Sequence, residues 1–263
     1  MDIEFNNILL AIDNGATAGI AQQQALDLAQ KFKASITVLL IGDDHTAFSD
    51  TIKFLGDFTL GKKITLSTVV KQGDFSAAVY AEIQKEEYSI VIVGTSCVKL
   101  GRLRKSICYD LATSVNCPLL FVKETNSHSR FSNLLLPLSK CAETKQKVPY
   151  AASLAQRFNS MVHILLLTRT LRSSDLETVE LYGRQAEKYL AERGVKHTVS
   201  KSFGVDIAKE TESYSRQVKA DVVFVMVEDK YSYFLKDRHL KQWIKNGKLS
   251  LMTIPVTREA KKR

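Results

Sequence analysis

The sequence predicts an α/β protein built from two tandem copies of one doubly wound domain, each with a five-stranded parallel sheet. Two observations lead to this fold class. Short runs rich in Val, Ile and Leu alternate with longer segments of helical period, which is typical of parallel strands buried on both faces and joined by crossover helices. The chain of 263 residues also repeats itself about halfway along its length.

The repeat rests on four matches that occur in the same order in both halves. The first three share an offset of 126 residues, and the fourth has an offset of 132. The matched segments are 7–10 with 133–136 (NILL and NLLL), 28–32 with 154–158 (LAQKF and LAQRF), 36–41 with 162–167, and 89–93 with 221–225.

Apolar runs and helical periods give the elements of each copy in turn. In the first copy we predict strands at 7–12, 35–41, 64–70, 89–94 and 118–123, and helices at 17–33, 46–56, 74–86 and 106–115. In the second copy we predict strands at 132–137, 161–167, 196–202, 220–227 and 250–256, and helices at 143–158, 173–193, 205–218 and 233–246. Asp74 stands where it caps a helix, and Gly194 and Gly247 stand where helices end.

A polar segment without apolar periodicity separates the copies, as expected of a surface connection. We therefore predict a first domain at 1–124, a linker at 125–130, a second domain at 131–257 and a basic tail at 258–263. No apolar run approaches the ~20 residues of a membrane span, and the start of the chain lacks a basic signal region. These features predict a cytoplasmic protein.

The spacing of the cysteines and the distribution of charge indicate which kinds of site and partner the chain has. Cys97, Cys108, Cys117 and Cys141 form no C-x-x-C pair, which predicts free thiols and no metal site. Residues 1–126 carry 12 Lys and Arg against 14 Asp and Glu, whereas residues 127–263 carry 25 against 14. The positive charge of the chain therefore resides in its second half, so the two halves have different surroundings or partners.

The ordered segments ILLAID (8–13), Gly73-Asp74, YSIVIVGTS (88–96) and NCPLLFV (116–122) resemble the universal stress proteins in their tandem form. The resemblance covers nearly the whole chain. It implies a domain whose members often bind ATP at the carboxyl ends of the strands. An Asp after the first strand contacts the nucleoside, and Asp13 matches it. In such members the phosphates lie in a loop with the pattern G-x₂-G-x₉-G followed by Ser or Thr.

This chain keeps only part of that phosphate loop. Gly94 opens the loop and Ser106 matches its hydroxyl, but Cys97 and Lys105 occupy the other two glycine positions. The loop is also two residues short. Gly101 supplies some backbone freedom, and Lys105 offers a cation to phosphate. The charged run of Arg102, Arg104 and Lys105 also fits a solvated loop and helix edge. The nucleotide or anion site predicted for the first domain therefore consists of Asp13, Gly94, Gly101, Lys105 and Ser106, and is degenerate, weak or absent.

In the second copy, Ser139 replaces the Asp, and Met226-Val227-Glu228-Asp229 replaces the opening glycine. The carboxylates of Glu228 and Asp229 repel phosphate, so we expect no ATP site in the second copy.

The function predicted from these features is non-enzymatic binding or regulation in a stress response. No catalytic residues are assigned, because none of the common catalytic motifs occurs. Two alternatives remain open: a weak nucleotide hydrolase, and anion or nucleic-acid binding through the basic, aromatic-containing segment 230–248 and the tail. We favour an amphipathic helix for that segment and expect no nucleic-acid binding, since no nucleic-acid motif accompanies the charge.

The last predicted strand of each copy, at 118–123 and 250–256, is a sheet edge that invites pairing. In the resembling family this edge makes the dimer. We therefore expect an intramolecular pseudo-dimer, with homo-oligomerisation left open and no membrane partner. No cofactor is assigned except a weakly bound adenine nucleotide.

Overall fold

The computed structural model describes residues 3–13, 15–42, 48–60, 62–94, 107–123, 131–227 and 249–257, without the side chains of Phe58 and of 107–110. The chain divides into two compact units, one built mainly from the first half of the sequence and the other mainly from the second half. No helix within the described ranges is long and apolar enough to cross a membrane.

The first unit is a parallel sheet with helices in the connections. Its elements are β1 (Asn7–Ile12), α1 (Ala18–Phe32), β2 (Ser35–Ile41), α2 (Ser49–Thr59), β3 (Leu66–Lys71), α3 (Phe75–Ile83), β4 (Ile90–Gly94), α4 (Ile107–Ser114) and β5 (Leu119–Phe121). The strand order is β3-β2-β1-β4-β5, and every neighbouring pair is parallel. Because the chain leaves β1 toward β2 and later returns on the other side at β4, the order reverses between β1 and β4.

The second unit repeats this plan. Its elements are β6 (Asn133–Leu138), a 3₁₀ turn at Ala142–Lys147, α5 (Val148–Phe158), β7 (Met161–Leu167), α6 (Ser173–Ala191), β8 (Lys196–Ser202), α7 (Ile207–Gln217), β9 (Val222–Val227) and β10 (Ser250–Pro255). β6 pairs in parallel with both β7 and β9, and β7 pairs with β8. β10 follows β9 in the order. The predicted fold class, a tandem doubly wound α/β protein, is confirmed.

Side-chain packing repeats at the offset found in the sequence. The rings of Phe5 and Phe32 pack edge to face, with their centroids 5.1 Å apart, and the ring centroids of Phe131 and Phe158 lie 4.8 Å apart. Each pair joins the residue two positions before the first strand to the last residue of the first helix. The next residue is left-handed in both units, with φ of 57° at Lys33 and 54° at Asn159. The repeat therefore extends beyond the segments that the sequence identified.

The larger offset of the fourth match also has a structural counterpart. In the first unit the Ser89 hydroxyl accepts a hydrogen bond from the Asn7 backbone N–H at 3.0 Å. In the second unit the Asp221 carboxylate accepts hydrogen bonds from the backbone N–H groups of Ser132 at 2.6 Å and Asn133 at 2.9 Å. Residues 89 and 221 thus bind the start of the unit's first strand in both units, which supports the offset of 132.

Most predicted elements agree with the observed ones, and one needs correction. Asp74 caps α3 by accepting from the Ala77 N–H at 2.9 Å, and Gly194 is left-handed with φ of 67° after α6. The single helix predicted at 143–158 is a 3₁₀ turn followed by α5, which begins at Val148. Pro149 is the physical reason, because proline lacks an N–H and its ring disfavours helix in the preceding turn.

Some predictions concern parts of the chain outside the described residues. These are the helix at 233–246, Gly247, the linker at 125–130 and the tail at 258–263. The domain boundaries at 124 and 131 stay predictions.

Candidate functional site

The switch point of the first unit brings two predicted site residues together. In the parallel pairing of β1 and β4, Ile12 lies opposite Gly94, and Asp13 follows directly. Ligands of open α/β sheets bind at the carboxyl ends of strands where the strand order reverses. Asp13 lies at this place because it directly follows β1, and Gly94 lies there because it ends β4.

The Asp13 carboxylate is held by the turn that leads into α1. Its Oδ1 accepts a hydrogen bond from the Gly15 N–H at 2.8 Å, and the side chain is half-exposed. The Ala18 N–H then donates to the Gly15 carbonyl at 3.0 Å, and α1 begins there. The carboxylate and the N-terminus of a 15-residue helix therefore face the same sheet edge. A helix N-terminus favours an anion, and a carboxylate favours a hydroxyl donor.

Gly94 has a packing role that the sequence did not indicate. A Cβ atom at this position would lie 2.4 Å from the Ala21 Cβ and 3.0 Å from the Thr17 carbonyl oxygen. Two side chains cannot share that space, so the glycine lets α1 pack directly on the end of β4. The residue is thus required by the fold whether or not a phosphate binds beside it.

Thr17 is a site residue that the sequence analysis missed. It precedes α1 next to Gly94, and its buried hydroxyl has no hydrogen-bond partner among the described residues. Its side chain makes no cap hydrogen bond to the helix. An unused buried donor costs free energy, which is recovered if a ligand accepts from it. A Thr at the start of a predicted helix, four residues after Asp13, was the available signal, but it indicates an ordinary cap equally well.

The other predicted site residues, Gly101, Lys105 and Ser106, lie outside the described residues, as does Cys97. Their proposed roles stay predictions from the sequence.

The corresponding edge of the second unit is filled by polar side chains of the chain itself. Ser139, at the position of Asp13, donates its N–H to the Thr144 hydroxyl at 3.4 Å. The Cys141 thiol donates to a Glu143 carboxylate oxygen at 3.1 Å. These contacts hold the 3₁₀ turn against the end of β6. In the first unit the matching residues, 16–21, lead directly into α1.

Lys147 is the most unusual residue of this edge. By the 126-residue offset it corresponds to Ala21, and by the 132-residue offset Met226 corresponds to Gly94. The glycine and alanine of the first unit are therefore replaced by two long side chains in the second. Lys147 is fully buried, and this burial lowers the pKa of its amine to about 7, while the nearby Cys141 acts in the opposite direction.

Gln146, beside Lys147, ties the turn to the chain after β10. Its amide nitrogen donates to the Thr257 carbonyl at 2.8 Å, and its amide oxygen accepts from the Thr257 N–H at 2.9 Å. A side-chain amide with both groups bonded to one residue imitates a neighbouring strand. The turn is thereby fixed at both the β6 and the β10 ends of this edge.

Other candidate groups have structural roles. His163 is bonded to the Thr198 hydroxyl at 2.9 Å and to the Asn133 side-chain oxygen at 3.2 Å, and burial lowers its pKa. Neither Cys117 nor Cys141 forms a disulfide, and burial raises the pKa of Cys117 to about 11. Within the described ranges, no group of three or more His, Cys, Asp or Glu residues is placed to hold a metal ion.

The architecture defines a tandem doubly wound α/β protein whose two switch points carry different residues. No protein-family model matches the chain, and no curated protein matches it.

Solved structures do match along nearly the whole length. A universal stress protein from Archaeoglobus fulgidus DSM 4304 is 15% identical over 96% of this chain and 99% of its own, with a TM-score of 0.69. A putative universal stress protein from Pseudomonas aeruginosa UCBPP-PA14 is 15% identical over 95% and 93%, with a TM-score of 0.70. The cytoplasmic domain of a prokaryotic cation chloride cotransporter is 9% identical over 95% of each chain, with a TM-score of 0.59.

The chain therefore has the universal stress protein fold in its tandem form. This confirms, at the level of the fold, the resemblance found in the sequence. Because the fold also occurs in the domain of a transporter, function has to be argued from the site.

Proposed function

We propose that this protein is a non-enzymatic binding or regulatory protein of the universal stress type, acting in the cytoplasm. Its first unit holds a weakened site for an adenine nucleotide or a smaller anion, and its second unit holds none. The observation that carries the proposal is the contrast between the two switch points, since the first presents Asp13, Thr17 and a helix N-terminus, and the second is filled by Lys147 and its turn.

In the first unit, the groups suit the two ends of a nucleotide. The half-exposed Asp13 carboxylate accepts from ribose hydroxyls, as a carboxylate does in other doubly wound folds. The α1 N-terminus and the Thr17 hydroxyl favour phosphate oxygens. Binding at this place needs no metal ligand from the protein.

Weak binding follows from the altered phosphate loop. A side chain where a glycine must be left-handed costs about 1 kcal/mol or more. Cys97 and Lys105 stand at two glycine positions of the resembling loop. Two such costs would together weaken ATP binding more than tenfold, because 1.4 kcal/mol is a factor of ten. Lys105 offsets part of this loss for a smaller anion such as phosphate or AMP.

In the second unit, the 3₁₀ turn lies at the edge that corresponds to the proposed nucleotide position. Lys147, the last residue of that turn, is fully buried, and Gln146 fixes the turn to Thr257. These contacts support the expectation that no nucleotide binds at this edge. We also propose that the last strands of the two copies pair within one chain, which distance measurements between labels at the exposed positions Asn116 and Thr257 would test.

Calorimetry of ligand-free protein with ATP, AMP and phosphate, with and without Mg²⁺, tests the nucleotide proposal. We expect one site per chain with a Kd above about 1 µM for ATP, corresponding to less than about 8 kcal/mol of binding free energy. Asp13→Ala should abolish nucleoside binding, whereas Ser139→Ala, at the matching position of the second unit, should leave it unchanged. Submicromolar ATP binding that Ser106→Ala abolishes would show that the missing glycines matter little.

Phosphate release from ATP tests the non-enzymatic part. We expect the rate with protein to equal the uncatalysed rate. Turnover that disappears in Asp13→Ala would identify a nucleotide hydrolase instead.

A further inference from the structure

β3 is an edge strand of the first unit, and its bonding alternates along its length. The Thr65 carbonyl accepts from Ile36 N–H at 2.8 Å, and the Lys71 carbonyl accepts from Gly42 N–H at 3.1 Å. Odd-numbered residues therefore direct their backbone groups toward β2. Because backbone groups alternate along a strand, Leu66, Thr68 and Val70 direct their N–H and C=O groups away from the sheet.

This edge lacks the features that usually protect one. Between Leu66 and Val70 the strand has no charge, no proline and no bulge, and Ser67 and Thr68 are exposed. The part of the chain that the structure describes provides no neighbouring strand on the outer side of β3.

An edge strand of the second unit, β8, is protected by charge. Lys196 and Lys201 lie within its seven residues, and Lys201 forms an ion pair with Glu180 at 2.6 Å. β5, the second edge of the first unit, has only three residues, and the sequence predicts a partner for it within the chain. Among these edges, β3 alone combines length with an uncharged backbone face.

The elements that precede β3 also expose large apolar side chains. α2 packs against β3, and its side chains Ile52 and Phe54 are 42% and 45% exposed. Leu60, directly after the helix, is 82% exposed.

We propose that β3 pairs antiparallel with β3 of a second copy of this chain, about a twofold axis at Thr68. In this register Thr68 faces Thr68 of the second copy, Leu66 faces Val70, and each of these residues both donates and accepts a backbone hydrogen bond. Thr–Thr and apolar cross-strand pairs are favourable. Lys71, the strand's one charge, lies opposite Thr65, so no like charges meet.

A second copy fits this edge because a strand that pairs about a twofold axis supplies its own complement. The sheets of two first units then become continuous. The pairing uses no residue of the nucleotide site and is independent of the proposed function.

Sedimentation equilibrium of the nucleotide-free full chain over a concentration series tests the pairing. We expect a dimer of twice the chain mass of 29.5 kDa. Thr68→Lys places two like charges on the axis and should shift the dimer Kd by at least tenfold toward monomer. Thr68→Val, which keeps the backbone bonds and β propensity, should leave the dimer intact. Circular dichroism verifies that both variants are folded.

Cross-linking tests the position of the axis. Only the residue on the axis meets its own copy, so Thr68→Cys should give a cross-linked dimer with a short bismaleimide above the background of the native thiols. Thr198→Cys, an exposed position on the protected strand β8, should not. A wild-type monomer at all concentrations, a dimer that survives Thr68→Lys, or equal cross-linking at both positions would overturn the proposal.

Discussion

Replacing Lys147 with Met should stabilise the second unit at neutral pH. The side chain is fully buried, and burial moves the pKa of its amine from the ordinary value of 10.5 to about 7. Met has a similar length and no ionisable group, so it fills the same space without the cost of desolvating an amine.

The size of the effect follows from proton linkage. One pKa unit corresponds to about 1.4 kcal/mol, so a change from 10.5 to about 7 amounts to on the order of 4–5 kcal/mol. Between pH 10.5 and pH 7 the unfolded chain binds the proton and the folded chain does not, so the folded state loses stability as the pH falls. Below pH 7 both states are protonated, and the full cost is present. The advantage of Lys147→Met should therefore be largest at pH 6–7 and vanish near pH 10.5.

Urea unfolding of wild type and variant from pH 6 to pH 10 measures this difference directly. Lys188→Met, which removes a lysine whose side chain is 79% exposed in the same unit, serves as the control and should change the free energy of unfolding by less than about 0.5 kcal/mol. If Lys147→Met is destabilising at pH 7, or if its effect does not vary with pH, the amine is charged and paired in the folded protein, and the reasoning is wrong.

Three further predictions concern packing, capping and thiol chemistry. Gly94→Ala should lose roughly 1–3 kcal/mol of unfolding free energy, because the new Cβ lies 2.4 Å from the Cβ of Ala21. Adding Ala21→Gly should restore part of this loss. Additive losses of the two substitutions in urea unfolding would contradict the contact. Asp221→Ala should lose roughly 1–3 kcal/mol by leaving the Asn133 N–H unpaired, whereas Asp221→Asn, which keeps an acceptor, should lose less in thermal unfolding. Alkylation of Cys117 by iodoacetamide, followed by mass spectrometry, should be slow at pH 8 and rise toward pH 11, since burial raises the pKa of its thiol to about 11; rapid reaction at pH 7 would show an exposed thiolate.

Local sequence determined most element bounds because buried parallel strands carry a strong apolar signal. β1, β2 and β7 begin and end where the apolar runs predict. The helix predicted at 143–158 was wrong at its start, because apolar period alone does not register that Pro149 interrupts the first turn. The repeat also predicted that the two units share one arrangement of strands and helices. It did not identify Phe5 and Phe131, which lie outside the matched segments.

The candidate site was only partly predictable. Asp13 and Gly94 could be placed together because strand ends in a parallel sheet share one edge. The burial of Lys147 could not, because lysine is almost always exposed and its environment depends on the packing of its turn against β9, which is distant in sequence. Thr17 was missed for a related reason, since a threonine before a helix ordinarily caps it and here does not.

The strand order has a consequence for biosynthesis. β1 lies inside its sheet, but its second neighbour, β4, begins only at Ile90, almost 80 residues after β1 ends. At 5–20 residues per second, the ribosome needs on the order of ten seconds to supply that neighbour. During this interval one side of β1 has no strand to pair with, and the second unit repeats the delay between β6 and β9. Each newly made chain therefore passes twice through a stage at which a nascent-chain chaperone has an apolar strand to bind.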